Sequence, residues 1–198
     1  MKSILRFVMS LMFVASTQAA MAAVSPDELV KSTADDVLSV IKKDKDIQNG
    51  DQKKVFALAE EKILPNFNFD RVCRMVLGKH WNRASKEQQE AFQREFRSLL
   101  LRTYATALSK YRNQTIDYKP LRSQPGDTEV TVKTEILQPG GQPVAVDYAL
   151  EKTAENWKVY DIVIEGVSLV TNYRSQFSNE IKQSGMDGLI EKLAQKNK

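Results

Sequence analysis

The chain has 198 residues, of which 42% are hydrophobic and 27% charged, and its formal net charge is +4. This composition suits one globular domain and excludes a disordered or low-complexity protein. Basic and acidic residues are interleaved, without the concentrated basic patch of a nucleic-acid binder, so no nucleic-acid partner is expected. Because there is a single cysteine, an intrachain disulfide is excluded and the core alone must hold the domain.

The N-terminus has the pattern of a secretory signal. Lys2 and Arg6 precede a short apolar run, and a small-residue stretch with an A-x-A site ends at Ala22. The apolar run is too short to anchor the chain across a bilayer. We therefore expect a signal peptide over 1–22 and a single domain over 23–198, whose charge falls to +2 because no acid is lost. The alternative is an interfacial N-terminal helix.

Apolar residues at helical spacing predict four helices in the first part of the mature chain. Ser25 with Glu28, and Ser85 with Gln88, match the capping box that starts a helix. Gly78 is expected to end the third helix, since glycine is favoured just past a helix C-terminus. The predicted helices run over about 26–43, 52–64, 68–77 and 86–111.

The hydrophobic period then changes from 3.6 to 2, which predicts strands joined by short Gly, Pro and Asn turns. The expected strands are about 114–121, 129–137, 144–151 and 157–164, followed by helices over 168–183 and 187–195. The predicted fold is therefore α+β, with a four-stranded antiparallel sheet packed by N- and C-terminal helices. Helices on the apolar face of this sheet leave either a filled core or an apolar pocket, and the pattern does not separate the two.

Cys73 and His80 are the only cysteine and the only histidine, and they raise the question of a nucleophile and its base, or of a metal half-site. Two helical turns separate them by roughly 10.5 Å, and Gly78 is expected to end the helix between them. A metal site would need further Cys or His ligands, so none is expected. Free cysteines are most often buried hydrophobic residues, and a structural role is favoured for both side chains.

Asp161 and Glu165 are four residues apart on the last predicted strand, hence on one face of a regular strand. A carboxylate in an apolar cavity can act as a general base. The competing interpretation gives both acids structural partners, either backbone groups or Arg174. An exported enzyme that uses Asp161 and an exported adaptor with a solid core both remain open.

Three segments together make the chain resemble the MlaC family of periplasmic phospholipid-binding proteins, also called toluene-tolerance proteins. They are LGKHW (77–81), SKEQQEAFQREFRSLLLRTYATALSKY (85–111) and WKVYDIVIEGVSLVTNYRSQFSNEI (157–181). The resemblance covers essentially the whole mature chain, and its most specific piece is YDIVIEGVS (160–168). It implies an NTF2-like fold in part, an apolar pocket for acyl chains, and no catalytic residues.

The resemblance also implies a function and partners. The chain would shuttle phospholipid, as cargo rather than cofactor, between an outer-membrane lipoprotein–porin complex and an inner-membrane ABC transporter bearing an MCE-domain protein. Outer-membrane lipid asymmetry and organic-solvent tolerance would depend on it, and a monomer is expected. Arg102 and Arg174 are candidates to meet a phosphate near the pocket mouth. Facing and size suggest these pocket walls: Phe96, Leu99, Leu100, Tyr104, Val130, Val132, Tyr148, Leu150, Val163, Val170, Tyr173 and Phe177.

Overall fold

The computed structural model of the protein describes residues 24–111 and 113–198. The predicted signal peptide lies outside these residues. Within them, no helix combines the length and the apolar character that crossing a bilayer requires.

Within 24–111 and 113–198, six α-helices cover most of the residues outside the sheet. They are α1 (Pro26–Lys43), α2 (Lys45–Gln48), α3 (Gln52–Leu58), α4 (Phe69–Leu77), α5 (Lys86–Ser109) and α6 (Leu169–Lys196). α3 continues into a π-helical turn, Ala59–Ile63, and a 3-10 turn, Leu64–Asn66. A second 3-10 segment, Gly78–Arg83, joins α4 to α5. The two C-terminal helices expected from the sequence are the halves of α6, which Gly185 kinks with a φ of 73°.

Three of the four local signals at helix ends are confirmed. The Ser85 hydroxyl accepts from Gln88 N–H at 3.2 Å, and the Gln88 side chain accepts from Ser85 N–H at 3.0 Å, so this capping box forms. The expectation of a second box at Ser25 was wrong, because that side chain makes no capping hydrogen bond. Pro26, whose fixed φ suits the first helical position, begins α1 there. Gly78 ends α4 with a φ of 52°, as expected.

The sheet is antiparallel throughout, and its strands follow the chain in the order β1-β2-β3-β4-β5. The strands are β1 (Thr115–Tyr118), β2 (Glu129–Leu137), β3 (Val144–Lys152), β4 (Trp157–Ile164) and β5 (Val167–Ser168). The α+β prediction is confirmed, with five strands rather than four. The extra strand has two residues, too few for an alternating pattern to reveal it.

One face of the sheet is buried and the other is polar. Along β2, buried Val130, Val132 and Thr134 alternate with exposed Glu129 and Lys133. This alternation follows from the twofold period of a strand. The buried face packs against the first turn of α1, where Leu29 and Val30 lie in the same core cluster as the strand residues.

A second core joins α4, α5 and α6 beside the sheet. Phe96 of α5 lies at its centre, with its ring centroid 5.1 Å from that of Tyr173 and 5.3 Å from that of Phe177, both at steep interplanar angles. Edge-to-face rings are a favourable arrangement beyond the area they bury. A third core joins α1, α2 and α3 through Val37, Ile41, Ile47, Val55 and Leu58.

Candidate functional site

Two neighbouring apolar cavities lie where the three cores meet. Cavity I, of about 410 Å³, is lined by α1, the end of α5 and the buried face of the sheet. Cavity II, of about 340 Å³, is lined by α3, α4, α5, the far part of β4 and the start of α6. Both volumes fall in the range typical of ligand sites.

The two cavities share part of their walls. Seven residues line both: Ile63, Phe67, Ala107, Leu108, Ile136, Tyr148 and Ile162. Two of them come from the irregular segment between α3 and α4, two from α5, and three from the sheet. The site is therefore one apolar region with two lobes, divided by these side chains.

Two pairs of polar side chains in the walls are hydrogen-bonded to each other. In cavity I the Asn66 amide donates to the Thr33 hydroxyl at 2.9 Å and to the Lys62 carbonyl at 3.0 Å. In cavity II the Tyr104 side chain is hydrogen-bonded to Tyr173, and burial, then this neighbour, raise the pKa of Tyr104. The Tyr104 hydroxyl consequently stays uncharged at neutral pH.

A bulge in β4 decides which of its residues face the cavities. Leu150 is opposite Val159, but Ala149 is opposite Asp161, so Tyr160 is an extra residue that reverses the alternation. Ile162 consequently pairs with Tyr148 and lines both cavities. Val163 pairs with Asp147 and lines neither cavity, contrary to the expectation from simple alternation.

The twelve residues expected at the pocket divide equally. Phe96, Leu100, Tyr104, Tyr148, Val170 and Tyr173 line the cavities. The other six line neither; besides Val163 they are Leu99, Val130, Val132, Leu150 and Phe177, which belong to or pack on the cores. Leu150 is fully buried by protein atoms, so it supports the fold rather than the wall. Contact of any of the twelve with lipid stays a prediction.

Several wall residues were not anticipated from the sequence. They include Leu29, Val37, Ile63, Phe67, Leu108, Ile136 and Ile162. The apolar stripe of α1 was visible as a helical pattern, yet a stripe that packs on a core has the same pattern as one that lines a cavity. Only the distance between α1 and the sheet separates the two cases.

Asp161 borders cavity II but is committed to the junction between β4 and α6. One carboxylate oxygen accepts from the Ser168 hydroxyl at 2.5 Å, and the other accepts from the N–H groups of Val170 at 3.1 Å and Ile162 at 2.8 Å. Its partners are the start of α6 and its own strand, as the structural interpretation expected. Arg174 is not among them; this side chain lies against Gly78.

Cys73 and His80 do not form a reactive pair. Cys73 is fully buried, and burial raises the pKa of its thiol far above neutral pH, so the thiol stays protonated. Burial, and then the charges of Lys79, Arg83 and Lys182, lower the pKa of His80. No group of three or more metal-ligating side chains occurs among the described residues. The structural interpretation of Cys73 is supported.

Comparison with known sequences now identifies the family. The sequence profile of the family described as MlaC protein matches residues 31–195. The chain belongs to the MlaC family. One relative within it is the intermembrane phospholipid transport system binding protein MlaC of Haemophilus influenzae, 29% identical over 98% of this chain and 91% of that one. Another is the toluene tolerance protein ttg2D of Pseudomonas putida, 26% identical over 94% of this chain and 87% of that one.

A solved structure supports the fold of this MlaC-family chain. The phospholipid-binding protein of Ralstonia solanacearum, determined in complex with a phospholipid, superposes with a TM-score of 0.82. It is 44% identical, and the alignment covers 86% of this chain and 96% of that one. At this coverage the likeness includes most of the residues that the structure describes.

Proposed function

We propose that this protein carries phospholipids through the periplasm, with the acyl chains held in cavities I and II. The observation that carries the proposal is the pair of apolar cavities with a shared wall, found in a chain of the MlaC family. The phospholipid complex of the Ralstonia solanacearum relative adds support. A solid-core adaptor does not account for the cavities.

The energetics suit a carrier. Removing an acyl chain from water is worth about 0.8 kcal/mol per CH₂, so two chains of roughly 15 carbons would cost on the order of 24 kcal/mol in water. A cavity lined by aliphatic and aromatic side chains recovers much of this sum, as a bilayer does. Transfer between membrane and protein is then close to neutral, and the protein's partners can set its direction.

Location and partners are part of the same proposal. Residues 1–22 would direct export, and cleavage would leave a mature chain that begins at Ala23. The proposed partners are an inner-membrane ABC transporter with an MCE-domain protein and an outer-membrane lipoprotein–porin complex. The word "intermembrane" in the name of the Haemophilus influenzae relative supports a role between two membranes.

Native mass spectrometry of the full-length gene product, expressed in a Gram-negative host, tests the proposal. The protein should be recovered from the periplasmic fraction with phospholipid bound, and its mass should match a chain starting at Ala23. Protein that is consistently free of lipid and takes up none from phospholipid vesicles would contradict the proposal.

A further inference from the structure

The wall of cavity II contains a charged side chain that forms no ion pair with the residues that the structure describes. Arg97 of α5 lines this cavity and is exposed. Its guanidinium carbon lies 5.4 Å from the centre of the Phe69 ring. Among the residues that the structure describes, Arg97 has neither an ion pair nor a hydrogen bond through its side chain, so its donors face solvent at the cavity edge.

The nearby acids are already paired. Asp70, next to Phe69 in α4, accepts from the Arg74 guanidinium at 2.6 Å and from the Gln93 amide at 3.3 Å. Asp161, the other charged residue of the cavity II wall, is bonded to the start of α6. Within the part of the chain that the structure describes, neither acid forms an ion pair with Arg97.

The rest of the site offers no second cation. The wall of cavity I contains no charged residue among those described. Arg102 lines neither cavity, and a Cβ on Gly78 would lie 3.1 Å from the Arg174 guanidinium, which places Arg174 beside the end of α4. These two arginines were the candidates from sequence, and the packing favours Arg97 instead.

We propose that Arg97 binds the phosphate diester of the carried lipid and so fixes which end of the site holds the headgroup. This inference rests on the proposed function. A guanidinium presents parallel N–H donors that match two phosphate oxygens. The headgroup then lies at the edge of cavity II, and the acyl chains extend toward the wall shared with cavity I.

The geometry implies selectivity for the phosphate and little for the alcohol esterified to it. Because Arg97 is exposed, the alcohol that is esterified to the phosphate points to solvent, whatever its chemical type. Phospholipids with different headgroups should bind alike, whereas diacylglycerol, which has the same chains and no phosphate, should bind more weakly.

The test compares Arg97→Gln with Arg94→Gln, its control, an exposed arginine of the same helix that lines neither cavity. Affinities for dioctanoyl phosphatidylglycerol and dioctanoylglycerol are measured on delipidated protein whose fold has been checked by circular dichroism. Arg97→Gln should weaken phosphatidylglycerol binding about tenfold or more and leave dioctanoylglycerol binding unchanged. Arg94→Gln should match the unmodified protein, and Arg97→Lys should lie between.

An Arg97→Gln variant with the affinity ratio of the unmodified protein would overturn the inference while leaving lipid carriage intact. If the unmodified protein bound neither lipid, the proposed function would fail as well. Millimolar glycerol 3-phosphate should not displace phosphatidylglycerol. Displacement would mean that the site takes a free phosphate ester, and this outcome too would overturn the assignment to a lipid headgroup.

Discussion

Filling the wall between the two cavities should block lipid binding without harming the fold. Ala107 lines both cavities and is not buried by other protein atoms, so Ala107→Trp adds an indole to the lipid space without displacing the core. A large aromatic side chain covers about 150–250 Å². At about 25 cal/mol per Å² the lipid would lose about 4–6 kcal/mol of apolar contact, which is about a thousandfold to ten-thousandfold in affinity.

Lipid occupancy by native mass spectrometry and affinity for a fluorescent phospholipid measure this effect. The control is Ala145→Trp, the same change at an exposed strand position that lines neither cavity. The melting temperature of Ala107→Trp should match or exceed that of the unmodified protein, because the added ring buries apolar surface. A folded Ala107→Trp protein with normal occupancy and affinity would refute the assignment of the shared wall.

Three further changes separate structural from functional roles. Cys73→Ala should leave lipid binding intact, and the buried thiol should resist alkylation at pH 8 in folded protein; rapid mass gain would contradict its raised pKa. Gly78→Ala should lower the free energy of unfolding in urea by about 1–2 kcal/mol. Gly126→Ala should lower it by less, because both glycines have a positive φ but, of the two, only Gly78 lies against another side chain. Asp161→Asn should lower stability by about 1–3 kcal/mol through the start of α6 but keep lipid affinity; a large loss of affinity with unchanged stability would assign Asp161 to the site.

Local features were predictable because neighbouring residues determine them. The capping box of Ser85 with Gln88, the end of α4 at Gly78 and the alternation of β2 depend on contacts within a few residues or on a simple period. The sequence therefore predicted every α-helix except the four-residue α2, and four of the strands, before any tertiary contact was considered. The two-residue β5 was not predicted, since its pairing with β4 is its only signal.

The wall of the site was less accessible to sequence reasoning because packing decides it. The bulge at Tyr160 moves Ile162 into the wall and Val163 out of it, and the hydrophobic pattern of β4 does not predict this change. Leu150 and Tyr148 lie two residues apart on the same face of β3, yet Leu150 is covered by protein atoms and Tyr148 lines both cavities.

The sequence by itself determined the longer helices, the main strands, the apolar faces and the family resemblance, since these depend on local composition, periodicity and the order of segments. Only the tertiary structure decided that α1, α3 and α5 enclose two lobes with the sheet rather than a filled core. It also showed that Arg97, unlike the other arginines of α5 and α6, lines a cavity. The spacing of packed elements and the pairing of charges depend on residues far apart in the chain, and neither is visible until those residues are brought together.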